Sequence, residues 1–373
     1  MPILRQLNID CRHYRHDRPC RPHKQFGVVC EHCEYYDPVR SRILIVKLGA
    51  TGDVLRTTAL LGSVKDLYPD SHITWICGKS SFELIRHNPW VDWPLLFSQE
   101  SLVLLDAMAF DVCINCDLAP EAAALASRVK AQTKKGFGMA PNSSIHPFHP
   151  EAETWFEMSM WDDCKKQNTQ TYQSHMRRIL GAPETNHAIH TPLLPKHVEK
   201  AKVFAAQADL DASVPIIGFN VGAGDRWQHK KWTIEGFVEL AERIDKHVQA
   251  RIMILYGPVD RERARHVMQA MTVPFVDAGL HPSLLEFFAF LDLCTLIVTG
   301  DTFALHAALG LDKKVVCLVG PTSARELELY NKGVILQSQM DCLGCYRTEC
   351  EKDPHCMNSL TAETVFEAVQ HQL

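Results

Sequence analysis

The chain has 373 residues, 46% of them hydrophobic, and a formal charge of −5. That is material for two ordinary domains with sizeable cores, and the acid excess argues against general nucleic-acid binding. No apolar run approaches the ~18 residues of a membrane span, and the opening MPILRQLNIDCRH lacks a signal peptide's long apolar segment. A cytosolic protein is expected, with peripheral contact at a membrane surface left open.

Residues 1–40 read as a module of their own. Cys11, Cys20, Cys30 and Cys33 form a C-x8-C-x9-C-x2-C pattern with little apolar material between them. Such a segment cannot fold on burial alone, and a structural zinc or iron held by the four thiols would supply the missing stability. Unligated cysteines are the alternative. Arg12, Arg15, Arg18, Arg21 and Lys24 either solvate the module or touch an anionic acceptor or phospholipid surface.

Residues 41–190 alternate strand and helix. RILIVKLGATGDVLRTTALLG opens with a buried strand at Ile43–Val46, breaks at Gly49–Asp53, and resumes with Val54, Leu55, Ala59 and Leu60 at helical spacing. Asp53 therefore stands at a strand's carboxyl edge, where open parallel sheets place ligands. It can accept a proton there, or simply cap the helix. Gly52 is followed by an acid rather than Lys-[Ser/Thr], so this is no nucleotide P-loop. Strands are expected at His72–Cys77 and Val112–Asn115, and helices at Ser80–His87, Glu121–Val129 and through Trp155–Leu180. Lys134–Gly138 and the stretch Pro141–Pro150 read as loops. A parallel sheet covered by helices follows from the alternation. Gly181, Pro183, Pro192 and Pro195 mark a linker.

A second alternating domain spans residues 196–340. The helix Lys196–Ala208 ends in an Asp209-Leu210-Asp211 triplet, which reads as a solvated turn rather than a metal site. Strand Ile216–Asn220 leads into a loop, Val221–Lys231, that holds Gly222, Gly224, Arg226, Lys230 and Lys231. This is a plausible diphosphate site, a solvated basic loop being the alternative. After strand Ile252–Tyr256, Glu262 falls in the first turn of a helix. Strand Thr295–Val298 runs into Gly300–His306, whose amides at Thr302–Leu305 make a ready anion site at a helix N-terminus. Asp301 or Thr302 capping that helix, and a packed His306, are the plainer readings. Strand Lys314–Val319 follows. Residues 341–373 hold a second quartet, Cys342, Cys345, Cys350 and Cys356, spaced for one tetrahedral zinc or iron, and a closing helix at Thr361–Leu373. Cys77, Cys113, Cys116, Cys164, Cys294 and Cys317 read as core or scattered thiols.

Four segments, in order and spacing, resemble one family: RILIVKLGATGDVLRTTALL, GAGDRWQHKKW, YGPVDRE, and GDTFALHAALGL with KKVVCLVGPT. From about residue 42 to the end the chain is similar to family 9 glycosyltransferases, the ADP-heptose:lipopolysaccharide heptosyltransferases. The resemblance implies an α/β GT-B fold, two facing Rossmann-like domains, here with the cysteine module in front. The N-terminal one would take the acceptor and the C-terminal one the nucleotide-sugar donor. It implies inverting transfer of heptose from ADP-heptose to a hydroxyl of the lipopolysaccharide inner core, without a catalytic metal, at the inner face of the cytoplasmic membrane. By position, Asp53 would be the general base, Lys230 would hold the diphosphate and Glu262 the nucleoside. Asp301, Thr302 and His306 would line the donor phosphates, with Gly222 and Phe303 also on the donor side. Phe303 stands where many members have glycine. CLGCYRTEC…HC resembles a C-terminal feature of many members, some of which glycosylate proteins. A protein heptosyltransferase and a noncatalytic nucleotide-sugar binder are the alternatives.

Overall fold

The computed structural model describes residues 6–211, 213–225 and 227–373. Arg226 lies outside them. The chain falls into two compact units. One holds residues 1–48, 61–152 and 179–182, the other residues 49–60, 153–178 and 183–373.

The first unit is built on six strands, β1 (Ser41–Val46), β2 (Ser71–Cys77), β3 (Trp93–Leu96), β4 (Ala109–Asn115), β5 (Lys130–Met139) and β6 (Ile145–Pro147), in the order β3-β2-β1-β4-β5-β6. The first five run parallel, and β6 returns antiparallel to β5. Ile43, Leu44, Ile45 and Val46 are fully buried, as a central parallel strand covered on both faces requires.

Two loops expected from sequence are strands. Lys134–Gly138 belongs to β5, its backbone paired with Cys113, Ile114 and Asn115 of β4. The lysines leave the ladder sideways: Lys134 Nζ donates to Ser127 O, and Lys135 Nζ to Leu180 O at 2.6 Å. Gly136 has φ +86°, and a Cβ there would lie 1.8 Å from Asn115 O, so the close pairing requires glycine. Within Pro141–Pro150, Ile145–Pro147 forms β6 after a turn in which Asn142 Oδ1 accepts from Ser144 N at 3.1 Å.

The second unit's sheet has the order β12-β11-β10-β7-β8-β9, all parallel: β7 (Ile216–Asn220), β8 (Arg251–Leu255), β9 (Val276–Asp277), β10 (Leu296–Gly300), β11 (Lys314–Leu318) and β12 (Gly333–Leu336). The order reverses between β7 and β10, the point where doubly wound sheets bind ligands beyond the strands' carboxyl ends. Thr233 caps helix Ile234–His247 by accepting from Gly236 N at 2.9 Å. The closing helix, Ala362–Gln372, buries Val365, Phe366 and Val369 in the same core as Trp232 and Phe237. Together the two parallel sheets make the expected α/β architecture. Among the described residues no helix is long and apolar enough to cross a membrane.

Candidate active site

The candidate residues outside the cysteine quartets fall in the second unit, which includes helix Thr51–Thr57 even though that helix follows β1 in the chain. Asp53 lies in its first turn. One turn on, Arg56 Nη2 meets Asp53 Oδ1 at 2.8 Å. The guanidinium is buried and lies 3.7 Å above the Tyr172 ring, so a cation–π contact and an ion pair together compensate its lost hydration. Tyr172 is in turn tied to Thr57, oxygen to oxygen, at 2.6 Å. Arg56 Nε, also buried, has no hydrogen-bond partner among the described residues.

The helix carrying Asp53 packs on the helix Phe303–Gly310. A Cβ built on Gly52 would sit 3.5 Å from His306 Cδ2 and 3.6 Å from Phe303 Cα. The Asp53 carboxylate one residue later acts electrostatically on His306 of that helix. Burial and the Arg56 charge push the His306 imidazole down to about 4, against the opposing pull of Asp301 and Asp53. His306 is therefore neutral at physiological pH, with one ring nitrogen able to donate and the other to accept.

Lys230 closes the short helix Gln228–Lys230 and reaches across to β10. Its Nζ donates to Asp301 Oδ2 at 2.7 Å and to Asp301 O at 3.2 Å, and Thr322 Oγ1 donates to the same carboxylate at 2.8 Å. Burial pushes the Asp301 carboxyl up, but Lys230, His306 and Arg56 outweigh it and hold the group well below the usual carboxylate range. Thr302 is the N-cap residue of Phe303–Gly310 without bonding its own helix, and its hydroxyl instead accepts from Asn220 Nδ2 at 3.2 Å. Of the four amides expected to meet an anion, that of Leu305 already donates to Thr302 O at 3.1 Å. Phe303 turns its ring onto Phe288, 5.5 Å between centroids, which places it in apolar packing.

Gly222 lies against Asp260: a Cβ there would meet Asp260 Oδ2 at 2.3 Å. Asp260 pairs with Lys231 at 2.9 Å and accepts from Gly224 N at 3.0 Å. That network orders the glycine loop, so Lys231 is structural and Lys230 is the lysine facing β10. Glu262 is apart from this cluster. It lies in the first turn of the helix Arg261–Ala270, is largely exposed, and pairs with Arg265 at 2.8 Å on the rim of a ~460 Å³ hollow that also involves Tyr256 and Asp277.

Sequence reasoning missed Arg56, Tyr172, Thr322 and Glu326. Arg56 was visible as an i,i+3 charge pair with Asp53. Glu326 accepts from Tyr346 OH and interacts electrostatically with Arg56, Asp301 and Asp53, and burial pushes its carboxyl up.

The cysteines separate by environment. Burial drives Cys113 and Cys116 up to about 12, which makes them packing thiols. Burial also raises Cys356, to about 11, and Cys345, Cys342 and Cys350 add to it, so the C-terminal quartet is gathered. Yet Cys350 is exposed while Cys356 is buried. Among the described residues no three His, Cys, Asp or Glu side chains are placed to hold a metal ion. The Asp209–Asp211 triplet is a turn, with Asp211 accepting from Ser213 N at 2.9 Å.

Residues 104–355 match the model of glycosyltransferase family 9 (heptosyltransferase). The chain belongs to that family. A lipopolysaccharide core heptosyltransferase, OpsX, of Haemophilus influenzae is 22% identical over 244 residues, 59% of this chain and 61% of that protein. The alignment thus spans about three fifths of that relative's length. Among solved structures, a family 9 glycosyl transferase from Veillonella parvula superposes with a TM-score of 0.71 at 20% identity, over 90% of this chain and 97% of that one. The E. coli ADP-heptose lipopolysaccharide heptosyltransferase II gives 0.66 at 16% identity, over 89% and 98%. These likenesses establish the GT-B-type α/β fold.

Proposed function

We propose that this family 9 member transfers heptose from ADP-heptose to a hydroxyl of the lipopolysaccharide inner core, with inversion at the sugar. The observation that carries the reading is the packing of the Asp53 helix against the helix that holds Phe303 and His306, in the unit that also holds the Lys230–Asp301 pair. The donor and acceptor classes rest on the named relatives in Haemophilus influenzae and E. coli.

In this reading Asp53 removes the acceptor proton as the hydroxyl oxygen attacks the anomeric carbon. A carboxylate is basic enough, because the hydroxyl becomes acidic only as the new bond forms. Arg56 holds that carboxylate in place. The C–O bond to the diphosphate breaks, and its electron pair leaves with ADP. Lys230 and the start of helix Phe303–Gly310 meet that charge, each contributing roughly 2–4 kcal/mol where water is excluded. Asp301 and Thr322 position Lys230. Glu262, beside its hollow, would contact the nucleoside. With cations and a helix terminus on the leaving group, the reading requires no metal. The reaction is placed at the cytoplasmic face of the inner membrane, with peripheral contact to the acceptor lipid.

The test is incubation with a panel of nucleotide sugars and core-truncated lipopolysaccharides, with the product linkage read by NMR. Heptose transfer from the ADP sugar with inverted anomeric configuration is expected. Donor binding with neither transfer nor hydrolysis across the panel would overturn it in favour of a noncatalytic binder.

A further inference from the structure

The N-terminal module is folded without a core. Of residues 6–40 only Pro22 is buried. Even so the segment is tied down at many points. Cys11 bridges to Pro38, and Asn8 Nδ2 donates to Cys30 O at 3.1 Å. Phe26 stacks on Tyr35 at 4.9 Å. Arg12 joins Asp37 and Asp92, each at 2.9 Å, and donates to Ser71 O at 2.7 Å, which docks the module on the first unit's sheet. These ties surround a cavity of about 380 Å³ whose lining includes Cys11, Cys20, Cys30 and Cys33, all half-buried free thiols.

The size of the cavity decides what the thiols can hold. A single tetrahedral zinc draws four sulfurs to about 2.3 Å from one point and leaves no space among them. No three of the described ligand-type side chains converge in that way. The cavity has room for roughly a dozen waters at about 30 Å³ each. Four cysteines that line one cavity without converging on a single point suit an inorganic cluster, in which one sulfur ligates each of four irons. The charges agree. Four thiolates on such a cluster leave it net negative, and Arg15 and Arg18 also line the cavity.

We propose that the N-terminal module houses a four-iron, four-sulfur cluster ligated by Cys11, Cys20, Cys30 and Cys33. The cluster supplies the stability that burial does not. This assignment is independent of the sugar-transfer reading.

The test uses the full chain, purified anaerobically and reconstituted with ferrous iron and sulfide. About four irons and four acid-labile sulfides per chain are expected, with broad visible charge-transfer absorption and the Mössbauer signature of a cubane. That signal should be lost in Cys30→Ser/Cys33→Ser and retained in Cys342→Ser/Cys345→Ser. Bound zinc, a single iron without sulfide, no metal uptake, or a signal that disappears with the Cys342/Cys345 pair would each overturn the assignment. Should the first variant fail to fold, the second still decides the location, because it disables the only other cysteine quartet.

Discussion

Lys230–Asp301 and Arg265–Glu262 are ion pairs of nearly equal length, 2.7 and 2.8 Å, in the same unit. By resemblance to the family's motifs, both carboxylates would stand on the donor side. They differ in water. The first pair is 14% and 16% exposed, the second 53% and 74%. In a dry setting each charge is felt strongly and an unpaired partner is costly, whereas solvent reduces an exposed pair to about 0–1 kcal/mol. The buried pair is thus a preorganised cation on a fixed anion, suited to a diphosphate. The exposed pair is adjustable and suited to the neutral face of a nucleoside.

Variants at the buried pair should show the largest effects. Lys230→Ala strands Asp301, and chemical denaturation should register a loss of about 3 kcal/mol. Calorimetry with ADP should show donor affinity falling about 10–100-fold, the worth of one charge-assisted contact of ~1.5–3 kcal/mol. The double change Lys230→Met/Asp301→Leu should recover much of the stability and none of the affinity. An affinity restored along with stability would remove Lys230 from the donor site. Arg56→Met should come next, costing about 2–4 kcal/mol and lowering turnover, because Asp53 loses its partner and Tyr172 its cation.

His306 gives a smaller, pH-dependent effect. Its folded-state value of about 4 lies below the unfolded value of 6.5, so protonation favours unfolding. Stability should be constant above pH 6.5, fall as pH drops from 6.5 to about 4, and flatten below. The depressed Asp301 carboxyl acts only lower, its contribution being lost as pH falls below the ordinary aspartate range. His72 and His175 share the histidine window, so the readout is the difference in slope between the wild type and His306→Gln. That difference should amount to at most about 3 kcal/mol. Equal slopes would mean that His306 is solvated. Glu262→Ala should have the smallest effect, within about 0.5 kcal/mol in stability and a few-fold in ADP affinity. A loss as large as that for Lys230→Ala would break the comparison.

Much of this was legible in the chain. The apolar β1, the glycine turn and Asp53 specify a strand, a bend and an acid at a sheet edge through residue type alone. What stayed hidden depends on neighbours. β5 reads as a charged glycine loop because its pairing comes from β4. Helix Leu284–Leu291 is apolar but for the buried Glu286, so no period marks it. The four-amide expectation at Phe303–Gly310 overlooked that the Thr302 carbonyl takes the Leu305 amide. Glu326 and Tyr346 meet only through the packing of irregular segments, and no local pattern encodes that meeting. The cysteine spacings mark two quartets, but only the folded chain brings one of them together and lines a cavity with the other.

The central claim is that Asp53 moves the proton while a separate set of groups grips the leaving ADP. Asp53→Asn keeps the side chain's volume and removes its basicity, together with the negative charge opposite Arg56. Single-turnover transfer and ADP calorimetry on the same preparation should show transfer down by about 10²–10⁴-fold with ADP affinity within about twofold of wild type. Transfer within tenfold of wild type, or loss of ADP binding alongside transfer, would contradict the account.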